Sequence, residues 1–143
     1  MSEPSETPPP CRVAICDDVA AFRTALKIVF RLEPQFAVVG EAGNGREAVT
    51  LVTGTEVDVL LLDLSMPIMD GLEALPLIRA ASPATKVVVL TGFGSGRLRA
   101  EALAAGASRY IEKGASPFEL TAVVEQVHAE VAVREPTPAP SPR

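Results

Sequence analysis

Five polar residues stand where apolar runs of the chain give out, and their types suit phosphate chemistry. Asp17 and Asp18 follow RVAIC, Asp63 closes VDVLLLD, Thr91 closes KVVVLT, and Lys113 comes directly after RYIE. A carboxylate that ionises near pH 4 is an odd end for a run of leucines unless it has a use there. Three carboxylates gathered near one lysine repel one another unless a cation joins them. A hard divalent ion with oxygen ligands suits such a set, and magnesium, or manganese in its place, keeps waters while accepting one or two carboxylates plus phosphate oxygens. With such an ion present, Asp63 can act as a nucleophile toward a phosphoryl group. Lys113 then supplies the opposing charge, and the Thr91 hydroxyl can donate to a phosphate oxygen. Positioning and electrostatics carry most of such a reaction.

This chemistry requires the fold to bring distant residues to one place. Four short apolar runs rich in β-branched residues predict strands at 12–16, 36–41, 57–63 and 86–91, with a fifth at 109–112; their near-continuous apolarity predicts burial on both faces. Between them the period becomes helical: Phe22, Leu26, Val29 and Phe30, then Ala48, Leu51 and Val52, then Leu72, Leu75 and Ile78. A thinner helix is expected over 95–105, opened by GFGSG. The last helix begins with Ser116, Pro117 and Glu119 as cap, first-turn proline and capping-box acid, and turns Leu120, Val123, Val124, Val127 and Val131 inward. Pro76 is expected to shorten or kink the third helix near Glu73. Five alternations of strand and helix predict an α/β fold, a doubly wound, five-stranded parallel sheet with right-handed crossovers. In such sheets the functional crevice lies beyond the carboxyl ends of the strands, where all five polar residues fall.

The 143 residues suit one domain, expected over 11–133, with a tail rich in Pro, Ser, Thr and Glu on either side, 1–10 and 134–143, read as disordered. A net charge of −5 without a basic cluster argues against direct contact with nucleic acid. No apolar run approaches the ~20 residues that span a bilayer, and the chain is expected to be cytoplasmic. Cys11 and Cys16 lie an odd number of residues apart around one strand and so face opposite ways, as reduced thiols with Cys16 in the core. His128, the single histidine, is read as a surface or packing residue. A competing site is G-x-G-x-x-A at 43–48, which follows a strand, opens a helix and has Asp63 about 20 residues further on, the spacing of a dinucleotide fingerprint using Gly43, Gly45 and Asp63. Asn44 and Glu47 explain the same stretch as a helix cap, and the nucleotide reading leaves Asp17, Asp18 and Lys113 idle.

The ordered set of Asp17-Asp18, Asp63 in DLSMPIMDG, Thr91 in VVVLTG and Lys113 in RYIEKGASPFEL resembles the receiver domain of two-component response regulators, over residues 12 to about 132. The resemblance implies a flavodoxin-like receiver fold of the CheY kind, with Asp63 as phosphoacceptor. It implies a metal held by Asp18, Asp63 and the Ser65 backbone carbonyl, Asp17 assisting through water or hydrogen bonds, and Thr91 and Tyr110 at the switch positions. The expected donor is a sensor histidine kinase or histidine phosphotransfer protein. Such a chain is no enzyme beyond its own phosphorylation and dephosphorylation. The output face is expected on the fourth helix, fifth strand and fifth helix, where Ala122, Gln126, Ala129 and Val133 form a second stripe for a downstream protein or a second copy. KGASPFEL is similar to receivers of NarL/LuxR-type regulators, which usually precede a helix-turn-helix domain; here a proline-rich tail follows, as expected of a stand-alone receiver or a fragment. GFGSGR lacks the acidic residues often seen in the family after the threonine. A degenerate receiver that only docks proteins is the further alternative.

Overall fold

The computed structural model describes residues 8–92 and 96–132. Most of both predicted tails lies outside those residues, as do Ser95 and Val133. Ten elements alternate: β1 (Cys11–Cys16), α1 (Ala20–Arg31), β2 (Phe36–Ala42), α2 (Gly45–Gly54), β3 (Val59–Leu62), α3 (Gly71–Ala81), β4 (Lys86–Thr91), α4 (Gly96–Ala104), β5 (Arg109–Glu112) and α5 (Pro117–Ala132). All strand pairs are parallel, in the order β2-β1-β3-β4-β5. No helix among the described residues is long and apolar enough to cross a membrane.

The strands form where the sequence is β-branched and leucine-rich, and their alternation sorts side chains into two cores. Ala14, Cys16, Leu60, Leu62, Val87 and Val89 face one way, under Ala48 and Val52 of α2, Ala74, Leu75 and Ile78 of α3 and Ala102 of α4. Cys11, Val13, Ile15, Val59, Leu61, Val88 and Leu90 face the other way, under Leu26 and Phe30 of α1 and Leu120, Val124 and Val127 of α5. Every residue of β3 is at most 1% exposed, and each contributes about 1.5–3 kcal/mol of apolar burial. The two free cysteines lie on opposite faces, as their spacing requires.

Two local expectations change. β3 is bounded at Val59, two residues later than expected, although the Asp58 backbone still pairs on both sides, its amide donating to Arg12 O at 2.8 Å and its carbonyl accepting from Lys86 N at 2.9 Å, while its carboxylate accepts from the amide and side chain of Arg12. Pro76 does not shorten α3, which runs unbroken to Ala81. The helix is fixed in front of the proline by a reciprocal capping box, with Glu73 N donating to Asp70 at 2.8 Å and Asp70 N donating to Glu73 at 3.1 Å, and beneath it by Ala74, Leu75 and Ile78, all fully buried. The α5 start is as predicted: Ser116 and Glu119 exchange amide-to-side-chain bonds of 2.9 and 3.2 Å ahead of Pro117.

The backbone approaches itself closely in the passage from β3 to α3. A Cβ on Gly71 would lie 2.1 Å from the backbone oxygen of Asp63, and the Gly71 amide donates to Leu64 O at 3.0 Å. The chain thus turns back on itself immediately behind Asp63, and only glycine fits. Gly71→Ala should destabilise the fold by at least about 2 kcal/mol, read as a lower urea midpoint; an unchanged midpoint would show that the turn has room to relax.

Candidate functional site

The strand order places β1 and β3 at the centre of the sheet, and the chain leaves them toward opposite faces. At their carboxyl ends Asp17 and Asp63 are neighbours, tied through the backbone: Asp17 N donates to Ala42 O and Asp63 N to Cys16 O, both at 3.0 Å. Both side chains are buried, at 2% and 4% exposure, whereas Asp18 is exposed. One carboxylate oxygen from each of the three lies within 4.8 Å of the other two.

Lys113 reaches this pocket from the turn after β5, where its amide donates to Thr91 O at 2.8 Å. Its Nζ lies 2.6 Å from Asp17 and 3.5 Å from Asp63. The lysine therefore bridges the two buried acids and sits closer to Asp17, rather than standing across from Asp63 alone. Its ammonium also lies 4.5 Å from the ring centroid of Phe22, a cation–π contact. Phe22 read in the sequence as part of a helical stripe; its place under the lysine depends on the pitch of α1 against the sheet and left no trace in spacing.

The remaining polar contacts hold the acids in place. Asp17 accepts from Val19 N at 2.8 Å, and Arg23 donates to Asp17 O at 2.6 Å while pairing with Glu41. Asp63 accepts from Ser65 N at 3.3 Å. Asp17 and Asp18 do not cap α1: the cap position is Val19, without a side-chain bond. The carboxylate of Asp18 makes no hydrogen bond or ion pair among the described residues and stays available to a ligand.

Thr91 is buried, at 2% exposure, at the end of β4. It lines a cleft of about 300 Å³ with Leu64, Ser65, Met66, Leu72 and Leu98, on the side of the pocket facing α4. Tyr110 is half-buried on β5, opposite Val89. Its ring centroid lies 6.0 Å from the guanidinium of Arg99, which also donates to Tyr110 O at 3.4 Å. Thus α4, which buries only Ala102, is fastened to β5 at the position expected to switch.

The dinucleotide alternative fails on the same geometry. The Gly45 amide donates to Met69 O at 2.8 Å, Gly43 N to the Glu47 carboxylate at 2.7 Å, and Glu47 N to Asn44 Oδ1 at 2.9 Å. The amides that a pyrophosphate would need are occupied, one of them by a negative charge. A Cβ on Gly45 would lie 2.6 Å from Met69 O, so this glycine serves helix packing against the β3–α3 loop.

A model of the response regulator receiver domain matches residues 13–125. The chain belongs to this family. It is 38% identical over 114 residues to the chemotaxis protein CheY of Listeria monocytogenes, covering 80% of this chain and 92% of that one. It is also 38% identical over 124 residues to a protein-glutamate methylesterase/protein-glutamine glutaminase of Rhodospirillum centenum, covering 85% of this chain but 31% of the relative. Several other curated relatives are spanned over only about half their length. Among solved structures, the signal receiver domain of NarL from Mycobacterium tuberculosis aligns with a TM-score of 0.81 at 30% identity, over 85% of this chain and 98% of that one. CheY in the CheX-CheY-BeF3-Mg complex of Borrelia burgdorferi aligns with a TM-score of 0.79 at 28% identity, over 83% and 90%. The receiver is a phosphoacceptor module of two-component signalling, and its fold here is the CheY-like five-stranded parallel sheet with five helices.

Charge and burial in this receiver oppose each other. Burial, and then the charge of Asp17, raise the Asp63 carboxyl above its ordinary value, against the pull of the Ser65 amide and Lys113. For Lys113 burial acts downward, but the hydrogen bond to Asp17 and the charges of Asp17 and Asp63 outweigh it and hold the ammonium above the usual lysine value. Burial, then Asp17 and Asp63, push the Cys16 thiol up to about 12, so it stays protonated beneath the acids. A carboxyl whose folded pKa exceeds its unfolded one favours the fold when protonated; that contribution is present below pH about 4 and is lost as pH rises through the folded value. Asp63→Asn should therefore unfold at higher urea than the natural chain at pH 7, with the difference closing below about pH 4. A constant difference across that range would mean that the stabilisation is not electrostatic.

Proposed function

We propose that this receiver, spanning 11–133, accepts a phosphoryl group on Asp63 from a sensor histidine kinase or histidine phosphotransfer protein. The observation that carries the reading is a buried Asp63 beside a second buried acid, an exposed third and one bridging ammonium. Three acidic oxygens within 4.8 Å are the donor set of a hard divalent cation. Asp18, Asp63 and the Ser65 carbonyl would hold magnesium or manganese, with Asp17 acting through water. That ion, when bound, supplies positive charge to the phosphoryl oxygens.

The chain's own residues do the rest. An Asp63 oxygen forms the new bond to phosphorus as the bond to the donor imidazole breaks. Lys113 exchanges one carboxylate partner for a phosphoryl oxygen. The Thr91 hydroxyl, in the adjoining cleft, donates to another. Water attack at phosphorus later releases phosphate and restores Asp63, so the chain catalyses only its own phosphorylation and dephosphorylation. The site of action on this reading is the cytoplasm, and the partners are proteins rather than nucleic acid or membrane.

Intact mass after incubation with a small phosphodonor tests the chemistry. One phosphoryl group should be gained with magnesium present, and none in excess chelator or in Asp63→Asn. Asp18→Ala should weaken magnesium binding strongly and Asp17→Ala less. Lys113→Ala should slow labelling, with incomplete rescue by Arg, whose planar fork cannot replace a compact ammonium. Labelling that ignores the chelator would sink the metal assignment, and no labelling of the natural chain would favour a docking receiver.

Output is assigned to α4, β5 and α5. Withdrawal of the Thr91 hydroxyl toward phosphate opens room for Tyr110 to turn inward and strains its tie to Arg99. On α5 the small residues Ala122 and Ala129, with Gln126, are exposed along one stripe and offer close approach to a downstream protein or a second copy. Amide NMR shifts with and without beryllofluoride should change most, beyond the acidic pocket, within residues 91–130. Largest changes on α1 and α2 would place the signalling face elsewhere.

A further inference from the structure

The opposite edge of the sheet carries a second convergence of ligating side chains. Cys11 opens β1, Asp58 lies just before β3, and His128 is on the last turns of α5. A thiol sulfur, a carboxylate oxygen and an imidazole nitrogen from these three lie within 4.8 Å of one another. They are far apart in sequence, without the paired-cysteine spacing that announces a metal site. Two further observations point to a ligand. The Nδ1 of His128 is buried and has no hydrogen-bond partner among the described residues, an exception in a structure where buried polar atoms are normally satisfied. Asp58 and His128 also line a cleft of about 330 Å³ with Pro9, Pro10 and Arg12, giving an ion a route in and room for water.

We infer that Cys11, Asp58 and His128 bind a zinc-type transition-metal ion, with a water in the open position. The donor set decides the class of ion. Sulfur and imidazole are poor partners for magnesium, whereas zinc takes Cys, His and carboxylate together. Tetrahedral ligands of zinc stand roughly 3.5 Å apart, so side-chain shifts of about 1 Å close the set. Arg12 does not block it. Two of its three bonds to Asp58 go to Oδ2, at 2.8 and 3.0 Å, and one goes to Oδ1 at 3.0 Å, leaving Oδ1 a lone pair. The guanidinium also pairs with Glu56, and it holds the carboxylate plane as outer hydrogen bonds commonly do for metal ligands. A bound ion would tie α5 to the starts of β1 and β3.

Cobalt(II) titration of the full chain, in a non-thiol reductant and excess magnesium, reads this site directly. One equivalent should bring a thiolate-to-cobalt absorption band, retained in Asp63→Asn and Cys16→Ala. In Cys11→Ser the band should vanish, and in His128→Gln affinity should fall by about ten-fold or more. His128 is only partly buried, so the Gln variant tests the ligand without emptying the core, and circular dichroism checks its fold. Zinc should raise the thermal midpoint of the natural chain and raise that of His128→Gln less at the same zinc concentration. No band, a band lost in Cys16→Ala or Asp63→Asn, or a band and midpoint shift indifferent to His128→Gln would overturn the proposal.

Discussion

Two carboxylates buried side by side against a single ammonium are the constraint on which the rest of the receiver depends. At separations under 5 Å and an effective dielectric near 20, one pair of like charges costs on the order of 3 kcal/mol. Lys113 offsets this by bridging Asp17 and Asp63, but with Asp18 added one cation faces three anions. The fold supplies that arrangement by rigid means. Both buried acids hang from backbone bonds at the central strands, the β3–α3 turn closes directly behind Asp63 through Gly71, and Phe22 lies under the ammonium. The core stabilises a pocket that is short of positive charge, and the pocket is correspondingly receptive to a cation.

Much of this was legible in the sequence because it depends on period and order. The runs of β-branched residues and leucines give four strands within a residue or two, the helical stripes give the helices, and parallel topology sends strand ends to one edge whatever the loops do. Asp17, Asp18, Asp63, Thr91 and Lys113 could thus be placed together before any distance was known. Contacts between elements far apart in the chain could not. The preference of Lys113 for Asp17, its seat on Phe22, and the meeting of Cys11, Asp58 and His128 depend on helix pitch and on which rotamer a neighbour leaves free. The grip of the Asp58 carboxylate on Arg12 is likewise invisible to local pattern, because Arg12 lies on another strand. Pro76 misled as a point of shortening, since the capping box and the buried face that outweigh its cost are features of the whole helix.

The β3–α3 loop shows how packing and chemistry share one segment. Met69 O receives the Gly45 amide, so the glycine that mimicked a nucleotide fingerprint in fact seats α2 on this loop. Met66 Sδ lies 3.6 Å from the Cys16 thiol, joining the loop to the end of β1. Ile68, 74% exposed, holds a φ of 71°, a left-handed conformation that costs a β-branched residue on the order of 1–2 kcal/mol. Such cost persists only where the surroundings fix the backbone, and here the fixing points are Gly71 behind Asp63 and Gly45 on α2. The loop beside Asp63 is therefore held from three sides. The face toward Thr91 and α4 is the more thinly packed one, since α4 buries a single alanine, and Arg99 is one of its ties to β5. The proposed output through α4, β5 and α5 rests on that asymmetry in packing.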